Sequence, residues 1–229
     1  MGGLGESLVG DMGVRTVFTI PMFGGIPVKE SVIVTWIIMA GILVASAILV
    51  RDLKIENPGK KQLLLEKAVG GIYNFFDDVM GGHGKAYIPY LISIGLYIAF
   101  SDLIGIIGLK PPTMDLNVTA TLAILSILLI QTAGIRKRGI KGWLKSFTEP
   151  MLLILPLNIM ELIIKPLSLC MRLFGNILGA YIIMELIKFV VPAVIPAVFS
   201  IYFDIFDGLL QAYIFVFLTS LFIGESMGE

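Results

Sequence analysis

Long apolar runs alternate with short polar segments along most of the chain. A helix needs about 20 consecutive apolar residues to cross about 30 Å of hydrocarbon, and three separate runs are long enough. The runs 32–50 and 116–135 are uncharged, and the run 86–109 is apolar apart from Asp102. This pattern predicts three membrane-spanning helices and places the chain in the all-α class of polytopic membrane proteins.

The segment 62–80, between the first two runs, has a different pattern. Its apolar residues recur at helical spacing, while charged and polar residues occupy the opposite face. Such a segment is predicted to form an amphipathic helix on the cytoplasmic surface of the membrane. The alternative is a small soluble helix that packs on a neighbouring element.

The segment 150–189 is also apolar, but it is too long for an upright span. As a single helix it would measure about 60 Å at 1.5 Å per residue, twice the thickness of the hydrocarbon. We expect either a strongly tilted helix or a hairpin, with bends at Pro156 and Pro166, because proline removes a backbone donor. Pro192 and Pro196 separate this segment from the last apolar run.

A last helix is predicted over 196–224. The chain then has about five to six membrane helices in one membrane domain, 1–229, with residues 1–31 as an external N-terminal arm. The sequence contains no visible internal repeat and no low-complexity linker that would mark a second domain.

The composition is typical of a membrane protein, since 57% of the residues are hydrophobic and 15% are charged. The 17 basic and 17 acidic residues cancel, so no bulk charge attracts nucleic acid. Cys170 is the single cysteine, which excludes an internal disulfide and a cysteine metal cluster.

Basic residues are concentrated in two of the segments that connect the apolar runs. Because loops rich in Lys and Arg are retained in the cytoplasm, we expect both segments there, the N-terminus outside and the C-terminus in the cytoplasm. The basic residues of the two segments are Arg51, Lys54, Lys60, Lys61, Lys67 and Lys85, and then Arg136, Lys137, Arg138, Lys141 and Lys145.

The sequence contains no motif for covalent or metal chemistry. Gly134 and Gly139 have the spacing of a phosphate-binding loop, but Ile140 and Lys141 follow in place of the required GK[ST]. HExxH and GxSxG motifs are absent, and His83 is the single histidine. We therefore expect no cofactor, no metal site and no catalytic chemistry in this chain alone.

Polar residues in the last third of the chain recur in steps of three or four, which places them on single helix faces. One such seam is formed by Asn158, Glu161, Lys165, Ser168, Arg172, Asn176 and Gly179. The other, on the predicted last helix, is formed by Ser200, Asp204, Asp207 and Gln211.

A charged residue at the bilayer centre costs about 2.5 to 3.5 kcal/mol, so such residues normally face protein or water and mark an ion or substrate path. Glu161 with Lys165, and likewise Glu185 with Lys188, are explained equally well as surface ion pairs. Arg172 differs, because no acidic residue lies three or four positions away and guanidinium stays protonated. Its partner is expected on another helix or another subunit.

The motif KPLSLCMRLFGN, at 165–176, lies between EPMLLILPLNIMEL at 149–162 and LLQAYIFVFLTSLFI at 209–223. Together these segments resemble subunit a of the F-type ATP synthase. PPTMDLNVTATLA at 111–123 and KRGIKGW at 137–143 also match that family. The resemblance covers nearly the whole chain, and RLFGN is highly specific in this context.

The resemblance implies an ion-translocating stator subunit that lies beside a rotating ring of c subunits, each with a carboxylate in the membrane. It implies two offset half-channels for H+ or Na+, with Arg172 between them to attract deprotonated carboxylates and to block leakage. The expected partners are the c-ring, the b subunits of the peripheral stalk, the rest of the complex and the lipid bilayer, most simply that of a bacterial cell membrane.

The resemblance also assigns other positions. Asn176 and Gln211 match polar positions near the arginine and on the last helix, and Asp204 matches a position that varies between His and an acid. Many relatives carry an acid where this chain has Tyr181, and Glu185 lies one turn further on. The external half-channel is expected to be lined by Glu185, Asp204 and Asp207 as a set. The candidates for the cytoplasmic half-channel are Asn158, Glu161, Lys165 and Ser168.

Two alternatives come from other functional classes. A secondary transporter would bind an anion at Arg172 on a broken helix, although the first 135 residues contain no counterpart of the region 150–224. A purely structural membrane anchor leaves the two polar seams unexplained.

Overall fold

The structure is a computed structural model that describes residues 16–20, 26–51, 53–54, 58–82, 84–146, 155–190 and 194–228. His83, Pro192 and the first residues of the predicted segment 150–189 lie outside the described residues.

The described part of the chain is almost entirely helical. Its elements are β1 (Thr16–Ile20), β2 (Ile26–Lys29), α1 (Glu30–Val50), α2 (Lys60–Val79), α3 (Ile88–Leu103), α4 (Leu116–Ser146), α5 (Leu155–Val190), α6 (Val194–Ser200) and α7 (Gly208–Met227). Two 3₁₀ turns, Ile104–Ile107 and Pro112–Met114, connect α3 to α4. A π-helical segment, Ile201–Asp207, joins α6 to α7, and we call 194–227 the terminal helix.

Five helices among the described residues are long and apolar enough to cross a membrane. This confirms the predicted all-α polytopic class, to which the antiparallel pair β1 and β2 adds one small hairpin. The helix α4 continues past the predicted run 116–135, with a break at Gly139, where φ is +72°. Glycine adopts this left-handed conformation without steric penalty, so the basic segment after the break leaves the direction of the membrane helix.

The amphipathic helix α2 packs against the terminal helix at its C-terminal end. The ring of Phe75 lies 6.1 Å from that of Tyr213 and 6.2 Å from that of Phe217, and Phe76 is buried. Leu64, nearer the start of α2, is exposed. One end of α2 is therefore covered by protein, and the other offers an apolar face to its surroundings.

The helix α5 is one continuous helix, so the hairpin alternative for this segment is wrong. Pro166 lies inside α5 without ending it, and Pro156 lies in the first turn, where a missing N–H breaks no helical hydrogen bond. The 36 residues of α5 measure about 54 Å at 1.5 Å per residue. Such a helix fits about 30 Å of hydrocarbon only when it is strongly tilted.

The terminal helix lies between α5 and α3. Gly95 of α3 packs on Val216, and buried side chains such as Leu173 of α5 and Phe215 of α7 belong to one apolar core. Within the described residues, the outward face of α5 remains uncovered. The arrangement leaves a tilted helix with one face on the bundle and one face open.

Asp115 joins the start of α1 to the start of α4. Its carboxylate accepts a hydrogen bond of 2.8 Å from Ser31 and bonds of 3.0 Å and 2.9 Å from the backbone and side chain of Asn117. The ammonium group of Lys29 lies 3.7 Å away. Burial alone raises the pKa of Asp115, but these hydrogen bonds and the charge of Lys29 outweigh it and hold the pKa below its usual value.

Candidate ion-pathway site

Arg172 lies near the middle of α5 with its side chain exposed. Leu169 and Leu173 are buried and hold this turn of the helix against the bundle, so the guanidinium faces outward. Leu167 and Met171 on the same side are exposed as well. Within the described part of the chain, no acidic side chain pairs with Arg172. The helix thus presents a permanent cation on an otherwise apolar surface.

Two cavities lie against α5 on opposite sides of Arg172. The Lys165 cavity, about 300 Å³, is lined by α5 residues that include Asn158, Glu161 and Lys165. The Asp204 cavity, about 410 Å³, is lined on α5 from Ile177 to Lys188. At 1.5 Å per residue, Arg172 lies about 10 Å along the helix axis from Lys165 and about 8 Å from Ile177. The arginine therefore stands between two separate polar spaces.

The Lys165 cavity is organised by one ammonium group between two carboxylates. The Nζ atom of Lys165 lies 3.0 Å from Glu161 on its own helix and 3.0 Å from Glu225 on α7. It also lies 5.0 Å from the ring centroid of Phe222. Arg138 from α4 lines the same cavity. These contacts join the start of α5 to the end of the terminal helix.

The Asp204 cavity contains acids from three parts of the chain. Asp204 comes from the π-helical segment, Glu185 from α5 and Asp102 from α3. The hydroxyl of Ser200 donates a hydrogen bond to Asp204, and the Nζ atom of Lys188 lies 2.8 Å from Glu185. This cavity therefore combines carboxylates with polar donors, a set that suits binding of H+ or a small cation.

Asn176 and Gln211 meet between the two cavities. The amide of Asn176 donates a hydrogen bond of 2.9 Å to the side-chain oxygen of Gln211. Gln211 is 1% exposed, and its Nε2 atom has no hydrogen-bond partner within the described residues. A buried amide with an unused donor is costly, so this pair is a polar contact retained in an apolar interface.

The contacts between α5 and the terminal helix run in opposite chain directions. Lys165 meets Glu225 near one end of the pair, and Asn176 meets Gln211 near the middle. Near the other end, Glu185 and Asp204 line one cavity. Lys165 and Asn176 of the first predicted seam therefore meet the terminal helix along an antiparallel helix pair, whereas Ser168 and Arg172 of the same seam are exposed.

A family model described as the ATP synthase A chain matches residues 32–224. The chain belongs to this family. ATP synthase subunit a of Moorella thermoacetica is 34% identical to it, over 88% of this chain and 92% of the relative. ATP synthase subunit a 2 of Bradyrhizobium sp. is 34% identical over 90% and 92% of the two chains. The subunit a of Legionella pneumophila strain Paris is 32% identical over 87% of each.

Most of the residues that the resemblance to this ATP synthase family singled out lie at the cavities or between them. Of the seven residues expected to line the half-channels, two line neither cavity within the described structure. Ser168 is exposed on the outward face of α5, and Asp207 is half-buried one turn beyond Asp204. Their proposed places in the two half-channels therefore lack the direct cavity contact that the other candidates have.

Asp102 and Glu225 are cavity residues that sequence reasoning did not assign. Asp102 had a visible signal, as the single charge inside an otherwise apolar run. Glu225 had none, because it lies just beyond the predicted last helix and its partner Lys165 is 60 residues away. The family comparison places both residues in or next to the matched region, but the structure identifies their neighbours.

Proposed function

We propose that this chain passes H+ or Na+ between two half-channels and the carboxylates of a rotating c-ring in an ATP synthase. The coarser role, that of the ion-translocating stator subunit of the membrane sector, follows from membership of the ATP synthase A chain family. The observation that carries the finer proposal is the position of Arg172. It is exposed on α5 between the Lys165 cavity and the Asp204 cavity.

A permanent cation at this position has a direct electrostatic consequence. Guanidinium keeps its proton in poor solvent, and a nearby positive charge stabilises an ionised carboxylate, most strongly at low dielectric. A ring carboxylate that arrives at Arg172 is thereby favoured in its ion-free form. It then has to reload from a cavity before it moves into lipid, so the ion follows the ring and does not leak directly.

We infer which end of the bundle faces the cytoplasm from the basic residues that lie at one end of it. Arg138 donates a hydrogen bond to the backbone of Glu225, and Glu225 pairs with Lys165. The basic residues in the last part of α4, the Lys165 cavity and the end of the terminal helix therefore lie together. Under the positive-inside rule this end is cytoplasmic, which places the N-terminus outside and the Asp204 cavity on the external side of a bacterial cell membrane.

The proposed surface for the c-ring is the outward face of α5. Ile164, Leu167 and Met171 are exposed there next to Arg172, so the face has the apolar character of a membrane interface with one fixed charge.

The b subunits of the peripheral stalk and the soluble sector are the other proposed partners, and no nucleic acid is involved. Co-purification of tagged chain with a c-ring and soluble catalytic subunits tests this assembly. A monodisperse chain that transports a solute alone would support the secondary transporter instead.

Arg172→Ala tests the central step. We expect the variant to lose ion-driven ATP synthesis, because no fixed cation then favours release of the ion from the ring carboxylate. Assembly and ATP hydrolysis by the soluble sector should persist. The measurements are ATP synthesis in inverted membrane vesicles and hydrolysis by the released soluble sector. Arg51→Ala is the matched control, since Arg51 is exposed at the end of α1, outside both cavities. Normal coupled synthesis by Arg172→Ala would refute the assignment.

A further inference from the structure

The basic residues of α4 all lie after its uncharged run, and α4 contains no acid. The run 116–135 measures about 30 Å at 1.5 Å per residue, which is about the thickness of the hydrocarbon. Arg136 follows the run directly, so it falls at the level of the lipid headgroups. We call residues 136–146 the basic interfacial segment. Its basic residues are Arg136, Lys137, Arg138, Lys141 and Lys145.

The basic interfacial segment bends towards the membrane helix after the break at Gly139. The indole N–H of Trp143 donates a hydrogen bond of 2.8 Å to the side-chain oxygen of Gln131, and a Cβ atom added to Gly134 would lie 3.4 Å from the Trp143 ring. In a straight helix Gly134 and Trp143 would be about 14 Å apart along the axis. These contacts hold the segment beside the end of the uncharged run, at the interfacial depth where Trp is enriched.

Apolar and basic side chains are both exposed on this segment. Ile140 is 72% exposed and Leu144 is 64% exposed, and their spacing of four residues places them on one face. Lys137 and Lys141 are exposed as well. At the membrane surface, apolar side chains enter the boundary of the acyl chains while lysine side chains extend to the headgroups. The segment therefore has the chemistry of a lipid-binding surface.

We propose that the basic interfacial segment binds the phosphate headgroups of anionic phospholipids and enriches these lipids beside α4. Clusters of about four to eight basic residues directly beside a membrane helix are typical of such recognition. An acidic surface of a partner protein would also match the charge, but it would leave Ile140 and Leu144 exposed at the depth of the acyl chains without a reason. Binding of anionic lipid does not depend on the proposed ion path.

The test uses the intact complex in phosphatidylcholine vesicles that contain the same small fraction of either photoactivatable phosphatidylglycerol or photoactivatable phosphatidylcholine. Mass spectrometry measures the yield of lipid cross-links on residues 136–146, and we expect a higher yield with phosphatidylglycerol. Lys137→Gln with Lys141→Gln should lower the ratio of the two yields at least about fivefold, which corresponds to about 1 kcal/mol, the contribution of one lysine near an anionic surface. Added salt should lower the ratio too, because it screens exposed charges.

Two further double variants separate the local charge from total charge and from apolar contact. Lys60→Gln with Lys61→Gln is the matched control, since both lysines are exposed at the start of α2, about 28 Å along that helix from its end on the terminal helix. This control should keep the ratio of the wild type. Ile140→Ser with Leu144→Ser should lower the yield with both lipids and leave their ratio unchanged, because the apolar side chains contribute depth and not charge.

A high ratio in wild type that falls in the Lys137 and Lys141 variant and persists in the control supports the binding of anionic lipid. Equal yields with the two lipids in wild type would overturn it, and so would an unchanged ratio in the lysine variant or an equal fall in the control. Cross-links from 136–146 to a partner subunit, with none to lipid, would overturn it in favour of an acidic protein surface. Normal coupled synthesis by Arg172→Ala, which contradicts the proposed function, would leave these results unaffected.

Discussion

The neighbours of Arg172 on α5 determine which way its side chain points. Buried Leu169 and Leu173 set the rotation of the helix, and the arginine is then directed away from the bundle. A charge at the bilayer centre is costly, yet no acid within the described chain neutralises this one. The local pattern already predicted that the partner comes from elsewhere, and the exposed position agrees with a partner on another subunit.

At the residue scale, the acids of the Asp204 cavity should act together. Asp204→Asn is expected to slow ion flux about tenfold, because one carboxylate that exchanges ions is lost. Glu185→Gln added to it should slow the flux further, since both residues line the same cavity. Flux is measured in liposomes with the assembled membrane sector.

Asp78→Asn is the control for this pair, since Asp78 is exposed on α2, away from the cavity. Wild-type flux in the double variant would show that neither Glu185 nor Asp204 lies on the path.

At the element scale, the main departure from sequence reasoning is the continuity of α5. Pro166 removes one hydrogen bond from the helix, and on local grounds a bend was expected there. The helix nevertheless continues through Pro166, and buried side chains of the following turns, among them Leu169 and Leu173, pack it on the bundle. Tertiary packing thus decided between two conformations that the local sequence left open.

The hydrogen bonds and the ion pair of Asp115, which join α1 to α4, can be tested through the pH dependence of stability. Because the pKa of Asp115 is lowered in the folded protein, its contribution to stability is present above its unfolded value of about 3.9 and is lost as pH falls through the folded value. Asp115→Asn should therefore lower the free energy of unfolding by about 1 to 3 kcal/mol at pH 7. The difference from wild type should shrink below about pH 4.

Thermal unfolding of the purified membrane sector, followed from pH 7 down to acid, measures this difference. Glu66→Gln, an exposed change on α2, is the control and should leave the unfolding midpoint unchanged. A difference between Asp115→Asn and wild type that is equally large at both ends of the pH range would contradict the ionised network.

At the scale of the whole molecule, the proposed function requires a moving partner to join the two cavities into one path. They lie on opposite sides of Arg172 along α5, and within the described structure the Asn176–Gln211 contact lies between them. An ion that enters one cavity therefore needs a carrier to reach the other. Each elementary charge carried across 100 mV releases about 2.3 kcal/mol, which can drive rotation only if direct leakage is blocked.

The proposed function also predicts which subunit determines the preference for H+ or Na+. We expect Glu185→Gln with Asp204→Asn to lower the rate of coupled ATP hydrolysis but to leave its response to Na+ unchanged. The reason is that the proposed function assigns the selecting carboxylate to the ring and not to this chain. Hydrolysis by the intact complex is measured with and without Na+. A gain or loss of Na+ stimulation in the variant would assign the selectivity to this subunit.

The sequence by itself determined the features that depend on local periodicity. The apolar runs identified the membrane helices, and steps of three and four residues identified the two polar seams. The neighbours of Arg172 predicted a partner on another helix or another subunit. RLFGN in its context identified the family. These features follow from hydrophobicity and helix geometry alone, which act over one or two turns.

Only the tertiary structure decided which residues of different helices meet. The contact of Lys165 with Glu225, the place of Asp102 beside Gly208 and the unbroken course of α5 through Pro166 all depend on the rotation and offset of packed helices. Those quantities are set by the interlocking of side chains across the whole bundle. No local pattern contains them, because each helix leaves its own rotation and offset open until its neighbours are in place.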